Sequence, residues 1–153
     1  MTDVRVRPGD PQERELLEAL QWRASLTSDE DRSHLLAHPE EIRLPTEQLR
    51  EGRVLVAVED GTIIGFAVVL GREDGGAELD GLFVEPARWR SGVGRRLVQA
   101  VLAKAAGEGA RQLHVLANPA ALAFYTAAGF VAEGEVQMRF GRAIVMRIAV
   151  AAP

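Results

Sequence analysis

The segment from Glu78 to Ala106 constrains this chain more than any other. A β-prone run, Glu78 to Val84, is stopped by Pro86, and the loop Arg88-Trp89-Arg90-Ser91-Gly92-Val93-Gly94-Arg95-Arg96 follows. That loop opens directly into an amphipathic helix, Gly92 to Ala106, with Leu97, Val98, Val101, Leu102 and Ala105 on one stripe. A strand feeding straight into such a helix needs a sheet for the helix to cover, which predicts a mixed α/β fold. The junction also predicts chemistry. Glycines at 92 and 94 let a ligand approach the backbone closely, because no Cβ stands in the way. The first N–H groups of a helix lack internal partners and lie at its positive dipole end, which suits an anion. Arg88, Arg90, Arg95 and Arg96 concentrate positive charge there, in a chain of formal net charge -4. The segment reads as a cradle for a pyrophosphate.

The rest of the chain supplies the sheet. Val4 and Val6 alternate with Arg5 and Arg7 in a first strand that stops at Pro8-Gly9. From Pro11 the period becomes helical, with Leu16, Leu17, Leu20 and Ala24 on one face. A second helix is expected from Ser28 to His38, capped by Ser28 or Asp29 and closed before Pro39. Arg53 to Val58 and Ile63 to Leu70 form a hairpin around Asp60-Gly61. Leu113 to Leu116 reads as a short buried strand. Asn118 caps a helix with Pro119 at its first position and Gly129 at its end. Val136 to Phe140 and Ala143 to Val150 close the chain as paired strands around Gly141. The order is βαα, three strands, α, β, α, ββ. About seven strands and about four helices make a mixed α+β domain, without the regular alternation of a doubly wound fold.

Several classes are excluded or disfavoured. A chain of 153 residues suits one domain, residues 1–153, with one core. With no cysteine there is no disulfide, thiolate metal site or thiol nucleophile. The acidic balance argues against nucleic acid as a partner. Met1 to Asp10 has no apolar signal-peptide core, and the run Ile63 to Leu70 is too short to cross a bilayer. A cytoplasmic protein without a membrane partner is the expectation. The Gly-Lys-Ser/Thr ending of a P-loop is absent, and Leu97 stands where a dinucleotide fingerprint needs its third glycine. Hydrolase chemistry has neither a Gly-x-Ser-x-Gly elbow nor a Ser-His-Asp order. His34 and His38 have ligand spacing on a helix, but without a third ligand no metal is assigned.

A second segment, Asn118-Pro-Ala-Ala-Leu-Ala-Phe124-Tyr125-Thr-Ala-Ala-Gly129-Phe130, narrows the ligand. With the strand, loop and helix before it, the chain resembles the GNAT superfamily of N-acetyltransferases over essentially its whole length. The loop is similar to that superfamily's cofactor motif, and the Asn, Phe-Tyr and Gly-Phe run to its later motif. The resemblance implies a GNAT-like twisted mixed sheet, with acetyl-CoA as cosubstrate entering where the fourth and fifth strands diverge. It implies that backbone groups of Leu82, Phe83 and Val84 pair with the pantetheine arm and the acetyl carbonyl. Arg90, Ser91, Gly92, Val93, Gly94 and Arg95 hold the pyrophosphate. Asn118 contacts the pantetheine arm, and Tyr125 protonates the departing thiolate. The motif's first position, usually Gln or Arg, is Trp89 here, which leaves Arg88 or Arg90 to supply charge.

The implied reaction is direct attack of a primary amine on the thioester, with no covalent enzyme intermediate. An alkyl ammonium is only about 1 part in 2500 neutral at pH 7, so a base is needed. Glu78 and Asp80 alternate along one strand face and are the candidates, with His114 on the neighbouring strand behind them. A tyrosine of ordinary pKa about 10 is a poor acid toward a thiol near 8.5, so Tyr125 must act as charge develops or at a lowered pKa. The resemblance puts the acceptor beside the two N-terminal helices, Glu13 to Ala37, and the loop before the last strand. Trp22 lies there, and Glu13, Glu15 and Glu18 suit a cationic amine or a basic peptide. The alternatives stay open: core packing for Tyr125, a solvated face for the carboxylates, and an acyl-CoA-binding sensor without catalysis. The apolar strand Ile144 to Val150 offers a surface for a homodimer.

Overall fold

A computed structural model describes residues 3–27, 29–138 and 141–152. The sheet has seven strands in the order β1-β2-β3-β4-β5-β7-β6, in a mixed α+β arrangement with five α-helices among the described residues. Two compact units share the chain, one of residues 1–68 and 81–97, the other of residues 69–80 and 98–153.

In the first unit β1 (Val4–Pro8) runs antiparallel to β2 (Val54–Glu59), from Val4↔Glu59 to Pro8↔Leu55. β2 turns into β3 (Thr62–Gly71) through Asp60 and Gly61, whose φ values of 50° and 78° are those of a two-residue hairpin turn. Ile63 to Val69 are all buried, so β3 shows a continuous apolar run rather than an alternating one. Helix α1 (Arg14–Ser25) buries Leu17 and Leu20, but Leu16 is 50% exposed, off the stripe expected for it. Helix α2 (Asp29–Ala37) matches the second expected helix, whose Ser28 cap lies outside the described residues. A short helix α3 (Thr46–Arg50) was not expected; five residues with one buried side chain, Leu49, leave little periodicity to detect.

The second unit contains the start of β4 (Ala77–Val84), which runs parallel to β5 (Gln112–Ala117). β5 pairs antiparallel with β7 (Gly141–Ala149) along its whole length, and β7 with β6 (Val131–Met138). Two expectations change here. β6 begins at Val131 rather than Val136, and all eight of its residues are exposed, so burial imposes no apolar alternation on its first half. β7 begins at Gly141 rather than Ala143; Phe140, the expected end of the preceding strand, lies outside the described residues. Helix α4 (Val93–Gly107) bridges the units in sequence, with Val93, Leu97, Val98, Val101 and Ala105 buried and Leu102 only partly so. Helix α5 (Leu122–Ala127) follows a single 3₁₀ turn at Pro119–Ala121.

One glycine governs how the first unit closes. A Cβ on Gly65 in β3 would lie 3.0 Å from the Phe83 carbonyl oxygen, 3.1 Å from a Leu97 methyl and 3.3 Å from a Val93 methyl. The backbone oxygen cannot give way as a side chain can. Gly65→Val is therefore expected to destabilise the fold by about 1–3 kcal/mol, as overpacking does. Chemical denaturation would show it as a lower midpoint, and an unchanged midpoint would mean the neighbours relax freely.

Candidate functional site

The loop between β4 and α4 is more constrained than its sequence suggests. Residues Pro86–Arg88 form one 3₁₀ turn, closed by the Arg88 N–H donating to the Glu85 carbonyl at 2.7 Å. The Trp89 indole N–H donates to the Val84 carbonyl at 2.8 Å, so this residue closes the loop back onto the end of β4. The Ser91 hydroxyl donates to the Arg88 carbonyl. Arg90 and Gly92 both take left-handed backbone, with φ of 65° and 89°. At Gly92 this conformation favours glycine. The Gly92 carbonyl then accepts the Arg96 N–H at 3.0 Å, which opens α4. The N–H groups of Val93, Gly94 and Arg95 therefore stand in the first turn, where no helical carbonyl precedes them. A Cβ on Gly92 would meet nothing within 4 Å, so the backbone at that point is open from outside.

The four arginines divide into two kinds. Arg88 pairs with Glu59, the only buried charged residue among those described, at 7% exposure. Arg96 donates to the Val4 carbonyl at 2.6 Å. Arg88 is thus engaged by a carboxylate within the protein, while Arg96 bonds a neutral carbonyl and keeps its charge on an exposed side chain. Arg90 and Arg95 are exposed. Ser91 keeps only its backbone for a ligand, because its hydroxyl is used inside the loop. Leu82, Phe83 and Val84 are half-buried, with Phe83 tilted on Phe66 at 5.2 Å between ring centroids. Glu85 forms a two-bond ion pair with Arg23 of α1, at 2.8 and 2.7 Å.

In the second unit Glu78 sits opposite His114 in the parallel ladder, and the ladder ends one rung later at Leu79↔Val115. Asp80 is the first residue past that end. Ala77 and Leu79 are buried, while Glu78 and Asp80 occupy the other, more open face, as their alternation predicts. Loss of solvent around the Asp80 carboxyl raises it above the usual aspartate range, although the residue keeps an open edge. Asn118 accepts the Ala120 N–H at 2.9 Å and so caps the turn before α5, as expected. Tyr125 is 7% exposed and is flanked edge-on by Phe124 and Phe130, at 5.1 and 5.3 Å. Burial pushes its phenol up to about 12, the opposite of the lowered value that would make it a good acid.

Thus the first unit holds Leu82 to Val84 and Arg90 to Arg95, and the second brings Glu78 opposite His114, with Asp80 just past the ladder's end and Asn118 and Tyr125 on the run into α5. A cleft of about 440 Å³ in the first unit, walled by Glu59, Glu85, Ala87 and Arg88 among others, takes in none of the predicted site residues. His34 and His38 each face a glutamate, Glu41 at 2.6 Å and Glu40 at 3.3 Å. Among the described residues no group of three or more His, Asp or Glu could hold a metal ion. Trp22 is half-buried on α1. The residues missed from sequence are Glu59 and Glu85. A glutamate beside a hairpin turn looks like any solvated charge, and nothing local marks Glu59 as buried.

Residues 16–130 match the model of the Acetyltransferase (GNAT) family. A mycothiol acetyltransferase of Clavibacter michiganensis subsp. michiganensis is 52% identical over 59 residues, 37% of this chain and 19% of that protein. The match thus spans about a fifth of that relative's length. Among solved structures, the paia N-acetyltransferase of Thermoplasma acidophilum, in complex with coenzyme A, superposes with a TM-score of 0.77 at 17% identity, covering 96% of this chain and 99% of that one. The ribosomal-protein-S18-alanine N-acetyltransferase of Escherichia coli gives 0.71 at 18% identity, over 99% and 96%. At these identities the structures establish a shared fold.

Tyr125 is the only tyrosine in the chain, so its ionisation can be followed by ultraviolet absorbance without assignment. The midpoint is expected near 12. Since the folded value lies above the unfolded value of about 10, the stability tied to this proton is intact below pH 10. It is lost as pH rises toward 12, by roughly 3 kcal/mol in all. A midpoint near 10 would show that water reaches the phenol.

Proposed function

This chain belongs to the GNAT family of acetyltransferases, and from that premise we propose that it transfers the acetyl group of acetyl-CoA to a primary amine by direct attack. The observation that carries the reading is the open left-handed turn at Gly92, set immediately before the first turn of α4. An oxygen-rich dianion such as a pyrophosphate fits that arrangement of donors. Backbone N–H groups of Val93, Gly94 and Arg95 hold it, and Arg90 and Arg95 add charge. Past the end of the β4–β5 ladder, the backbone of Leu82 to Val84 is assigned to the pantetheine arm and the acetyl carbonyl. An N–H there also stabilises the oxyanion that forms when the amine nitrogen bonds to the carbonyl carbon. Asn118 is assigned to the pantetheine arm.

The proton inventory assigns the remaining groups. The amine must lose a proton, and the departing sulfur gains negative charge as the carbon–sulfur bond breaks. Asp80 is the preferred base, because its raised carboxyl lies closer to neutral pH than an ordinary aspartate. Glu78, beside His114, is the second candidate. Full transfer from a phenol near 12 to a thiolate near 8.5 is uphill by about 5 kcal/mol. Tyr125 therefore acts as a hydrogen-bond donor to sulfur as charge builds, with complete transfer left to solvent. The same burial of Tyr125 favours a second reading, acyl-CoA binding without turnover. The identity of the amine is not assigned; the acidic α1 suits a cationic small amine or a basic peptide terminus.

Calorimetric titration with acetyl-CoA is expected to show micromolar binding that weakens at least about tenfold in Gly92→Val, where left-handed backbone is lost and a side chain covers the donors. NADH and ATP serve as controls. Tighter binding of either control, or no acetyl-CoA binding, would overturn the cradle.

Given turnover on an amine panel, Asp80→Asn is expected to lower kcat about 10²-fold or more and to remove the acid limb of the pH profile. Because a raised aspartate is less stable ionised than in water, the same variant should unfold no earlier than the wild type at pH 7. A preserved acid limb would move the base to Glu78. Tyr125→Phe with turnover intact would leave Tyr125 as a packing residue only.

A further inference from the structure

The cofactor loop is bracketed by two arginines, and both are anchored on one rung of the β1–β2 ladder. That rung is Val4↔Glu59. Arg88, at the entry to the loop, pairs through Nη2 with Oε1 of Glu59. Arg96, in the first turn of α4 at its exit, donates to the carbonyl of Val4 at 2.6 Å. Between the anchors lie Trp89 to Arg95, which include both left-handed residues. The Glu59 side chain is 8% exposed and that of Arg88 45%, so the carboxylate is withdrawn from water and depends on its partner. Released from Glu59, the arginine would find water readily; released from Arg88, the glutamate would not. The pair is therefore asymmetric, with the burial of Glu59 drawing Arg88 inward and pulling the 3₁₀ turn and the Ser91-held carbonyl with it.

We propose that Glu59 is a positioning residue for the cofactor loop: acting through Arg88, it sets the span between the loop's ends that keeps the N–H groups of residues 93–95 presented to a pyrophosphate. Glu59 touches no substrate in this scheme. The inference rests on the acetyl-CoA reading above for its ligand, but the loop order it predicts exists without any ligand. Removing the anchor lowers the fraction of molecules with a competent loop, and the apparent dissociation constant rises in inverse proportion.

Two measurements on Glu59→Gln test it. In the ligand-free protein, exchange of the hydrogen-bonded amides that close the loop, those of Arg88, Trp89 and Arg96, is expected to accelerate about tenfold while that of β2 stays within twofold, in keeping with local rather than global opening. In turnover, KM for acetyl-CoA is expected to rise about tenfold with kcat little changed. Acetyl-pantetheine, the same thioester without the pyrophosphate, should lose little, so the ratio of kcat/KM between the two donors falls about tenfold. Glu59→Asp, which keeps the charge, should recover part of that ratio. Unchanged exchange at Arg88, Trp89 and Arg96 overturns the inference whatever the ligand is. Equal losses for both donors also overturn it, since a merely structural role lowers both together. Faster exchange in the variant with no acetyl-CoA binding by the wild type would instead overturn the functional reading and leave the anchor standing.

Discussion

At Gly65 the first unit has no room for a side chain, because the Phe83 carbonyl and the methyls of Val93 and Leu97 crowd the place where a Cβ would stand. This close approach brings β3 against the end of β4 and against the first turn of α4 at once. Both ends of the connecting loop are then fixed to the same strand. A loop with pinned ends must take up its slack internally, and the left-handed turns at Arg90 and Gly92 do so. Only the second of these falls on glycine. At Arg90 the conformation has to be held against its intrinsic cost, and the two arginine anchors on the Val4↔Glu59 rung supply a restraint on either side.

Much of the fold was legible because its strongest local signals and its tertiary demands agree. Asp60-Gly61 accepts positive φ at both positions, so the hairpin register follows from the turn. Asn118-Pro119 supplies a side-chain cap and a residue needing no N–H donor bond, so the entry to α5 is readable to the residue. Legibility failed where burial writes no pattern. The first half of β6 carries Glu133, Gly134 and Glu135 on an exposed edge, and its partner β7 rather than a core face keeps it extended. Leu16 shows the converse error. An apolar residue beside a buried stripe reads as part of it, yet exposed leucines are common and need no special cause.

In the candidate site the backbone features were easier to read than the side chains. Glycine positions and helix starts are local properties, and the cradle at Gly92 follows from them. The use of each arginine is not local. Arg88 and Arg96 differ from Arg90 only in what lies across the sheet from them, and no window of sequence contains both Arg88 and Glu59. Two of the four positive charges in the cluster thus also hold the loop itself in place.

The same distinction bears on proton transfer. Burial moves both Tyr125 and Asp80 toward their neutral forms. For the carboxyl this is useful to a base, because a shift toward neutral pH raises its proton affinity. For the phenol it runs against acid chemistry, since a stronger hold on its proton makes release to sulfur harder. Desolvation by one physical cause therefore strengthens one assignment and restricts the other to hydrogen bonding. The asymmetry follows from where each ordinary pKa starts, below neutrality for the carboxyl and far above it for the phenol.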